Sequence, residues 1–585
     1  MSDQETVSTQ RPLLYTAANG DDSKYTGKSS DTNLPDVESG SAKFEQIFTW
    51  IRPLGVWQLV VLLYCAYAQF ATTFINLEVI FYGVTPTFVC DPGNSDLESR
   101  WSLERIANIT SPLKPKSTER DVCLVRQLNF SEFSADADFG QIIRELAQRD
   151  AMNVTNYVKC SKWLYNRTYL TETVVTQWDL VCDNMWWAEH GVSLNFGGFM
   201  LGVLIAGVLS DKFGRKTAAL IMCGVYVPTG LACSIAPNYL VFMILRAVAM
   251  MGAMGNANVV YCYGLEIVGS QYRSIVGGLF FLPYAFAYVC TAGLAAIVPD
   301  WRYLNVVCVG TGLIQLGITL FVPESPRWLL VKGRVNQATR VLKTAARINR
   351  AQLPKNVDLG SVAMAIQKEE QAKKQTTEDI TSMIQYPVLV IRAIIVYVMW
   401  AVIAMVYYGL SLNVSSFAGN IFVNNAISGA IEIPAYAASY GMLYLGRKRA
   451  TYATLFFCGA SLCAIAFITD PGWKMVSAMC GKFAITIAFS VIYVLTVEIY
   501  PTVIRNFGLS TSSAVGRVGT MIAPYISGIS KLGASVAWVP MVVFGGFSVI
   551  AGALAFFLPE TLGKRLPEHL KDAVELEPIK KSDKN

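Results

Sequence analysis

Residues 207–216 read GVLSDKFGRK and join the end of one apolar stretch to the start of the next. The last three of these residues return as Gly446-Arg447-Lys448, 446 − 214 = 232 positions later. Glu266 and Arg273 return as Glu498 and Arg505 at the same offset of 232, and Pro323-Glu324-Ser325 as Pro559-Glu560-Thr561 at 236. Three matched landmarks at nearly one spacing make the chain two related halves.

The apolar stretches say what each half contains. The chain has 585 residues, 53% hydrophobic and 15% charged, against about 25% charged in an average soluble domain. A helix needs about 20 apolar residues to cross a bilayer. Six such runs precede residue 323, at 57–81, 186–209, 217–236, 239–265, 274–298 and 303–322 (spans 1 to 6). Six follow residue 386, at 388–412, 421–445, 450–468, 473–497, 507–529 and 536–558 (spans 7 to 12). The expected fold is therefore an all-α membrane protein, twelve transmembrane helices in two six-helix pseudo-symmetric bundles. Its parts are a disordered cytoplasmic tail (1–48), a first bundle (49–322) carrying an extracellular loop (84–185), a cytoplasmic linker (323–386), a second bundle (387–558) and a cytoplasmic tail (559–585). The tail 1–48 is polar and has no signal-peptide core. In the linker, Val335, Ala338, Val341, Leu342, Ala345 and Ile348 recur at helical spacing, which predicts amphipathic helices lying on the cytoplasmic surface.

Basic residues in short loops orient the bundle. Lys212, Arg215 and Lys216 after span 2, and Arg447, Lys448 and Arg449 after span 8, fall on one side with Arg273 and Arg505. This puts both termini in the cytoplasm. The net charge of +6 follows from that bias and suggests no nucleic-acid partner. The long loop is then outside the cell, where glycosylation sequons at Asn108, Asn129, Asn153 and Asn166 become usable. Four of the thirteen cysteines lie there: Cys90, Cys123, Cys160 and Cys182. They allow two disulfides in three pairings. The other nine sit in apolar runs as small core residues. With only two histidines, His190 and His569, the chain offers no metal-ligand cluster, and no nucleophile motif stands out. Neither an enzyme nor a cofactor is expected. In transporters, paired halves of this kind put the substrate site at their interface near mid-membrane, and transport proceeds by rocking one half against the other.

Gly207 through Lys216 matches the loop 2 to 3 signature of the major facilitator superfamily, in which a small Gly207 permits close helix approach and Asp211 with Gly214, Arg215 and Lys216 forms an ion-paired latch. Glu266, Arg273, Glu498 and Arg505 extend the latch and its second copy, where Leu443 replaces the aspartate and predicts a weaker one. Arg246 in span 4, followed by Gly252 and Gly255, resembles the superfamily's arginine motif; helix packing explains it equally well. From Trp57 to Pro567 the chain resembles the organic cation, anion and zwitterion transporters. YYGLSLN (407–413), GNIFVN (419–424), AIEIPAY (430–436), GKFAITIAFSVIYVLTVEIYPTVIRNFG (481–508) and SSAVGRVG (512–519) look most like the organic cation/carnitine transporters. The resemblance implies a polyspecific carrier of small organic cations and zwitterions in the plasma membrane.

Arg517 stands in the middle of span 11, where a permanent cation costs roughly 2.5 to 3.5 kcal/mol on insertion scales. Glu432 lies at similar depth in span 8. A carboxylate and a guanidinium lining one hydrophilic cavity suit a substrate with an ammonium and a carboxylate, and the resemblance assigns both to substrate binding. Tyr408, Phe489 and Tyr493 would supply ring faces to the ammonium, with Tyr407 and Tyr284 behind them, and Lys482 in span 10 is a further binding residue. The structural alternative is that Glu432 pairs with Arg517 or Lys482. Sodium-using carnitine carriers have an Asn-Tyr pair where this chain has Asn256-Ala257, and an asparagine where Thr72 stands. Sodium coupling is therefore doubtful, the coupling ion stays open, and voltage alone can drive a cation at about 2.3 kcal/mol per charge per 100 mV. Two other readings compete: an organic anion carrier using Arg517, disfavoured by Tyr436 where anion carriers carry a lysine, and a non-transporting glycosylated receptor or scaffold.

Overall fold

A computed structural model describes residues 40–114, 120–130, 138–152, 155–351, 359–375, 380–501, 504–567 and 570–574. Span 1 is Val56–Leu77 continued by Val79–Tyr82, span 2 Met185–Phe213, span 3 Arg215–Cys233, span 4 Tyr239–Glu266, and span 6 Trp301–Phe321. Span 7 is Pro387–Asn413, span 9 Arg447–Ala464, span 10 Pro471–Ile499, span 11 Arg505–Gly528 and span 12 Val539–Ala555. Among the described residues, eight of the spans are long and apolar enough to cross a bilayer by length and composition. The other four have identifiable reasons: span 8 is broken, span 9 opens with three bases, span 11 carries Arg517 among serines, and span 12 is short.

Besides the single-residue turn at Glu78 in span 1, two spans are interrupted where the sequence predicts continuous helix. Span 5 is Ser270–Leu279 and Leu282–Ile297, and span 8 is Ile421–Ala430 and Glu432–Leu443. Pro283 and Pro434 cause this. Neither has an N–H to give the carbonyl four residues back, so the ladder breaks one turn before the ring. The break in span 8 leaves Glu432 at the first position of a new half-helix.

Span 2 lies close to span 4 because Gly198 and Gly202 face the carbonyls of Ala247 and Met251, where a methyl would overlap backbone. Gly207 does not share this role. Nothing lies within 4 Å of the position its methyl would take, so the expected close approach at Gly207 is not made.

The expectation of a disordered tail over 1–48 fails from Gly40 onward. Gly40–Ile51 is a helix whose Phe44, Ile47, Phe48 and Ile51 form one buried stripe. That stripe packs with linker helices Pro326–Val331, Val335–Ile348 and Leu359–Gln375 through Trp328, Leu342 and Ala345. Asn349 fixes the layer to span 1: its amide donates to Ile51 O at 2.7 Å and Gln58 Oε1 at 2.8 Å, while its Oδ1 accepts from Trp57 N at 2.8 Å. Ile348, expected on the buried stripe, is exposed.

On the opposite face the long loop folds around its own core of Val89, Leu97, Trp101, Ile106 and Ile109. Strand Phe88–Cys90 pairs antiparallel with Trp163–Tyr165, and Leu124–Arg126 with Tyr157–Lys159. Of the three pairings, the structure selects Cys90–Cys160 and Cys123–Cys182. The second bond ties the loop to the short turn that opens span 2. The remaining nine cysteines are free. The loop and the linker thus mark opposite ends of the bundle, the loop side and the linker side.

Candidate functional site

The half-helix that begins at Glu432 points its carboxylate into the centre of the bundle, where it is fully buried. Tyr407 of span 7 donates to Oε1 at 2.6 Å and Tyr436, one turn on, to Oε2 at 3.4 Å. Lys482 Nζ of span 10 lies 3.0 Å from Oε1 and donates to Ser411 Oγ at 2.6 Å. The same ammonium sits 3.6 Å from the Tyr407 ring centre and 5.7 Å from that of Tyr288 in span 5. Two buried charges in such contact neutralise one another. The structural pairing weighed from the sequence is thus the one formed, with Lys482 as the partner.

Arg517 has no such partner among the described residues. Its side chain is 8% exposed, its Cζ lies 4.0 Å from the centre of the Phe199 ring in span 2, and Nη1 has no hydrogen-bond partner among the described residues. Between the two charges lies a cluster of rings. Tyr407 packs on Tyr408 at 5.1 Å and Phe489 at 5.4 Å, Phe489 on Tyr493 at 5.8 Å, and Phe196 of span 2 on Tyr408 at 4.9 Å. Phe281, at the break in span 5, stacks on Tyr436 at 5.4 Å. The aromatic residues predicted from the sequence are therefore together, while Glu432 and Arg517 do not line one open space as expected, because Lys482 and the rings fill it. Tyr284 of span 5 joins the rings beside Tyr407, and its hydroxyl also accepts from Asn76 at 3.3 Å.

A cavity of about 430 Å³ lies nearer the loop side, between the ends of spans 1, 2 and 4 and those of spans 7 and 11. Tyr82, Glu189, Arg246, Asn413, Ser527 and Lys531 line it. Arg246 is buried against Glu78 in an ion pair and lies 5.2 Å from the Tyr82 ring. The sequence reading left Glu78 out, although an acid inside span 1 signals a counter-charge nearby. Span 2 meets span 11 in a ladder running inward from this level: Glu189 to Lys531 at 2.7 Å, His190 Nδ1 to Tyr525 Oη at 2.9 Å, Ser193 Oγ to Met521 O at 2.9 Å, then Phe199 over Arg517.

The latch residues form the same network twice on the linker side. Arg215 contacts Asp211 at 2.8 Å and Glu266 at 2.6 Å, and Glu324 accepts from the N–H groups of Arg215 and Lys216. In the second half Arg447 contacts Glu498 at 3.1 Å, and Glu560 accepts from the N–H groups of Arg447 and Lys448. Where Leu443 replaces the aspartate, its carbonyl takes the guanidinium at 3.0 Å. Gly214 and Gly446, with φ of 103° and 113°, supply the turn that points those N–H groups at the carboxylates. Each network closes within its own half. Arg273 pairs instead with Glu45 of the first helix, and Arg505 donates to Tyr500 O at 3.3 Å.

Of the sequons, Asn129 and Asn166 are exposed, Asn108 accepts from Arg120 at 2.7 Å, and Asn153 lies outside the described residues. Thr72 donates to Ala68 O at 3.0 Å, and Asn256 Nδ2 has no partner among the described residues.

Residues 150–571 match the family described as "Sugar (and other) transporter". The chain is 35% identical to the organic cation transporter protein of Drosophila melanogaster over 71% of this chain and 76% of that one. It is 30% identical to organic cation/carnitine transporter 2 of Homo sapiens over 92% of this chain and 95% of that one. Among solved structures, the partially occluded inward open conformation of the xylose transporter XylE from E. coli aligns with a TM-score of 0.56 at 14% identity, covering 87% of this chain and 100% of that one. That likeness carries the fold.

Proposed function

The chain belongs to the sugar (and other) transporter family of the major facilitator superfamily, among the organic cation and organic cation/carnitine transporters, and from that premise we propose that it carries small quaternary ammonium compounds, including zwitterions of the carnitine type. It works by alternating access in the plasma membrane, with both termini cytoplasmic and the disulfide-bonded, glycosylated loop outside. The observation that carries the substrate assignment is the buried Arg517 guanidinium, one nitrogen of which has no hydrogen-bond partner among the described residues, beside a cluster of rings with Glu432 beyond it. That nitrogen suits a substrate carboxylate, and Tyr408, Phe489 and Tyr493 offer their faces to an ammonium. Rocking the halves apart on either side of the rings opens the site to each compartment in turn.

The test is uptake of labelled tetraethylammonium, carnitine and a small dicarboxylate, each with and without sodium, by wild type and Arg517→Ala. Ammonium compounds are carried, sodium is dispensable, and the substitution reduces carnitine uptake more than tetraethylammonium uptake. Equal loss for both would assign Arg517 a structural role. One observation favours a second reading, an organic anion carrier: Glu432 is already neutralised by Lys482, whereas Arg517 is not paired with a carboxylate among the described residues. Uptake of the dicarboxylate alone would establish it.

A further inference from the structure

The surroundings of the Lys482 ammonium are those of an ammonium-binding site. It has a carboxylate at 3.0 Å, a hydroxyl at 2.6 Å, one ring at 3.6 Å and a second at 5.7 Å. These groups come from spans 8, 7 and 5, so the cage includes Tyr288 from the opposite half. We propose that Lys482 is a tethered occupant of a cage for organic ammonium groups, competing with an external cation for Glu432 and thereby setting which charges the carrier accepts. The inference rests on the reading of this region as a substrate path and assigns Lys482 an opposing role within it.

The physical argument is one of competition. An external ammonium entering this cage meets a carboxylate already neutralised by an ammonium on its own backbone. A tethered group is present at an effective concentration in the millimolar range or above, so a free cation of equal intrinsic affinity displaces it only at comparable concentrations. A zwitterion is less handicapped, since its carboxylate finds in Arg517 a guanidinium with no carboxylate partner among the described residues. Removing the lysine side chain frees the cage and leaves Glu432 charged, buried and without its counter-ion, a state that a small amine relieves.

The probe is n-propylammonium, about the size of the part removed in Lys482→Ala. In the full-length purified protein, n-propylammonium raises the melting temperature of Lys482→Ala but not of wild type, and it competes with labelled tetraethylammonium at a concentration lower by about tenfold or more. The gain disappears in the double variant Lys482→Ala with Glu432→Gln, because the neutral amide no longer attracts the cation. Lys482→Gln, which keeps a donor for Glu432 without the charge, shows a smaller gain and serves if the alanine variant does not accumulate. Equal competition in wild type and both single variants, or a gain that survives Glu432→Gln, overturns the cage. If wild type carries no ammonium compound at all, the broader reading has failed, whatever the amine does to the variants.

Discussion

Lys531, just beyond span 11, places its ammonium 2.7 Å from Glu189 Oε1 in span 2, an ion pair that joins the two halves at the loop side. Glu189 Oε1 takes no hydrogen bond among the described residues, so the contact is one of charge. A partly exposed pair of this kind is worth up to about 1 kcal/mol, or about fivefold in population. Lys531→Ala therefore shifts the carrier toward the state open on the loop side. A cysteine introduced at Ser530, which lines the cavity there, should react several times faster with a membrane-impermeant thiol reagent. An unchanged rate would mean that the ladder from His190 to Phe199 holds this side shut by itself.

The two copies of the latch differ in how their arginine is held. Arg215 gives both Nε and Nη2 to Glu266, whereas Arg447 gives only Nε to Glu498. Losing either leaves a half-buried carboxylate without its counter-charge, a cost of about 3 kcal/mol for the better-formed pair. Arg215→Ala should lower the melting temperature more than Arg447→Ala. Asp211 is 80% exposed, so Asp211→Asn should cost less than about 1 kcal/mol. A ranking with Arg447→Ala first would show that the repeat is not energetically ordered as its geometry suggests.

Much of this was legible in the chain. Apolar runs of membrane length, a tandem landmark set and clustered bases state the twelve spans, because each depends on local composition. The first helix was not legible: Phe44, Ile47, Phe48 and Ile51 form a stripe too short to stand out from the polar residues before it, and only the linker helices give it a partner. Which charge meets which was harder still. Glu432, Lys482 and Arg517 all sit near one depth, and helix rotation decides that the lysine and not the arginine faces Glu432. The Glu78–Arg246 pair was readable in principle, since each is the sole charge within its apolar run, 57–81 and 239–265.

The loop carries a pH response of definite sign. Burial raises the Asp150 carboxyl, but hydrogen bonds from Arg126 at 2.6 Å and Tyr157 at 2.7 Å outweigh it and hold the group below its ordinary value. A carboxyl lowered on folding contributes stability in full above its unfolded value, about 3.9, and loses it as pH falls through the lower folded value. The loop should keep its protease resistance from pH 7 to pH 5 and lose it below about pH 4. Asp150→Asn should show the looser loop already at pH 7 and a weaker change with acid. Identical acid profiles for wild type and variant would remove Asp150 from the account.

Closure on the linker side brings spans 5 and 8 together at Gly278 and Tyr440, where a methyl on the glycine would overlap the tyrosine hydroxyl. The ring is 42% exposed, so it can swing aside, but only by giving up the contact. Gly278→Ala should therefore hinder the approach of these half-helices without unfolding either of them. Transport should slow by about three- to tenfold, with substrate affinity changing less, because the step affected is the rocking and not the binding. Tyr440→Leu removes the obstructing atoms, and in the double variant the rate should return toward that of Tyr440→Leu alone. A double variant as slow as Gly278→Ala would mean that the added methyl acts within span 5, at the break before Pro283, and not across the interface.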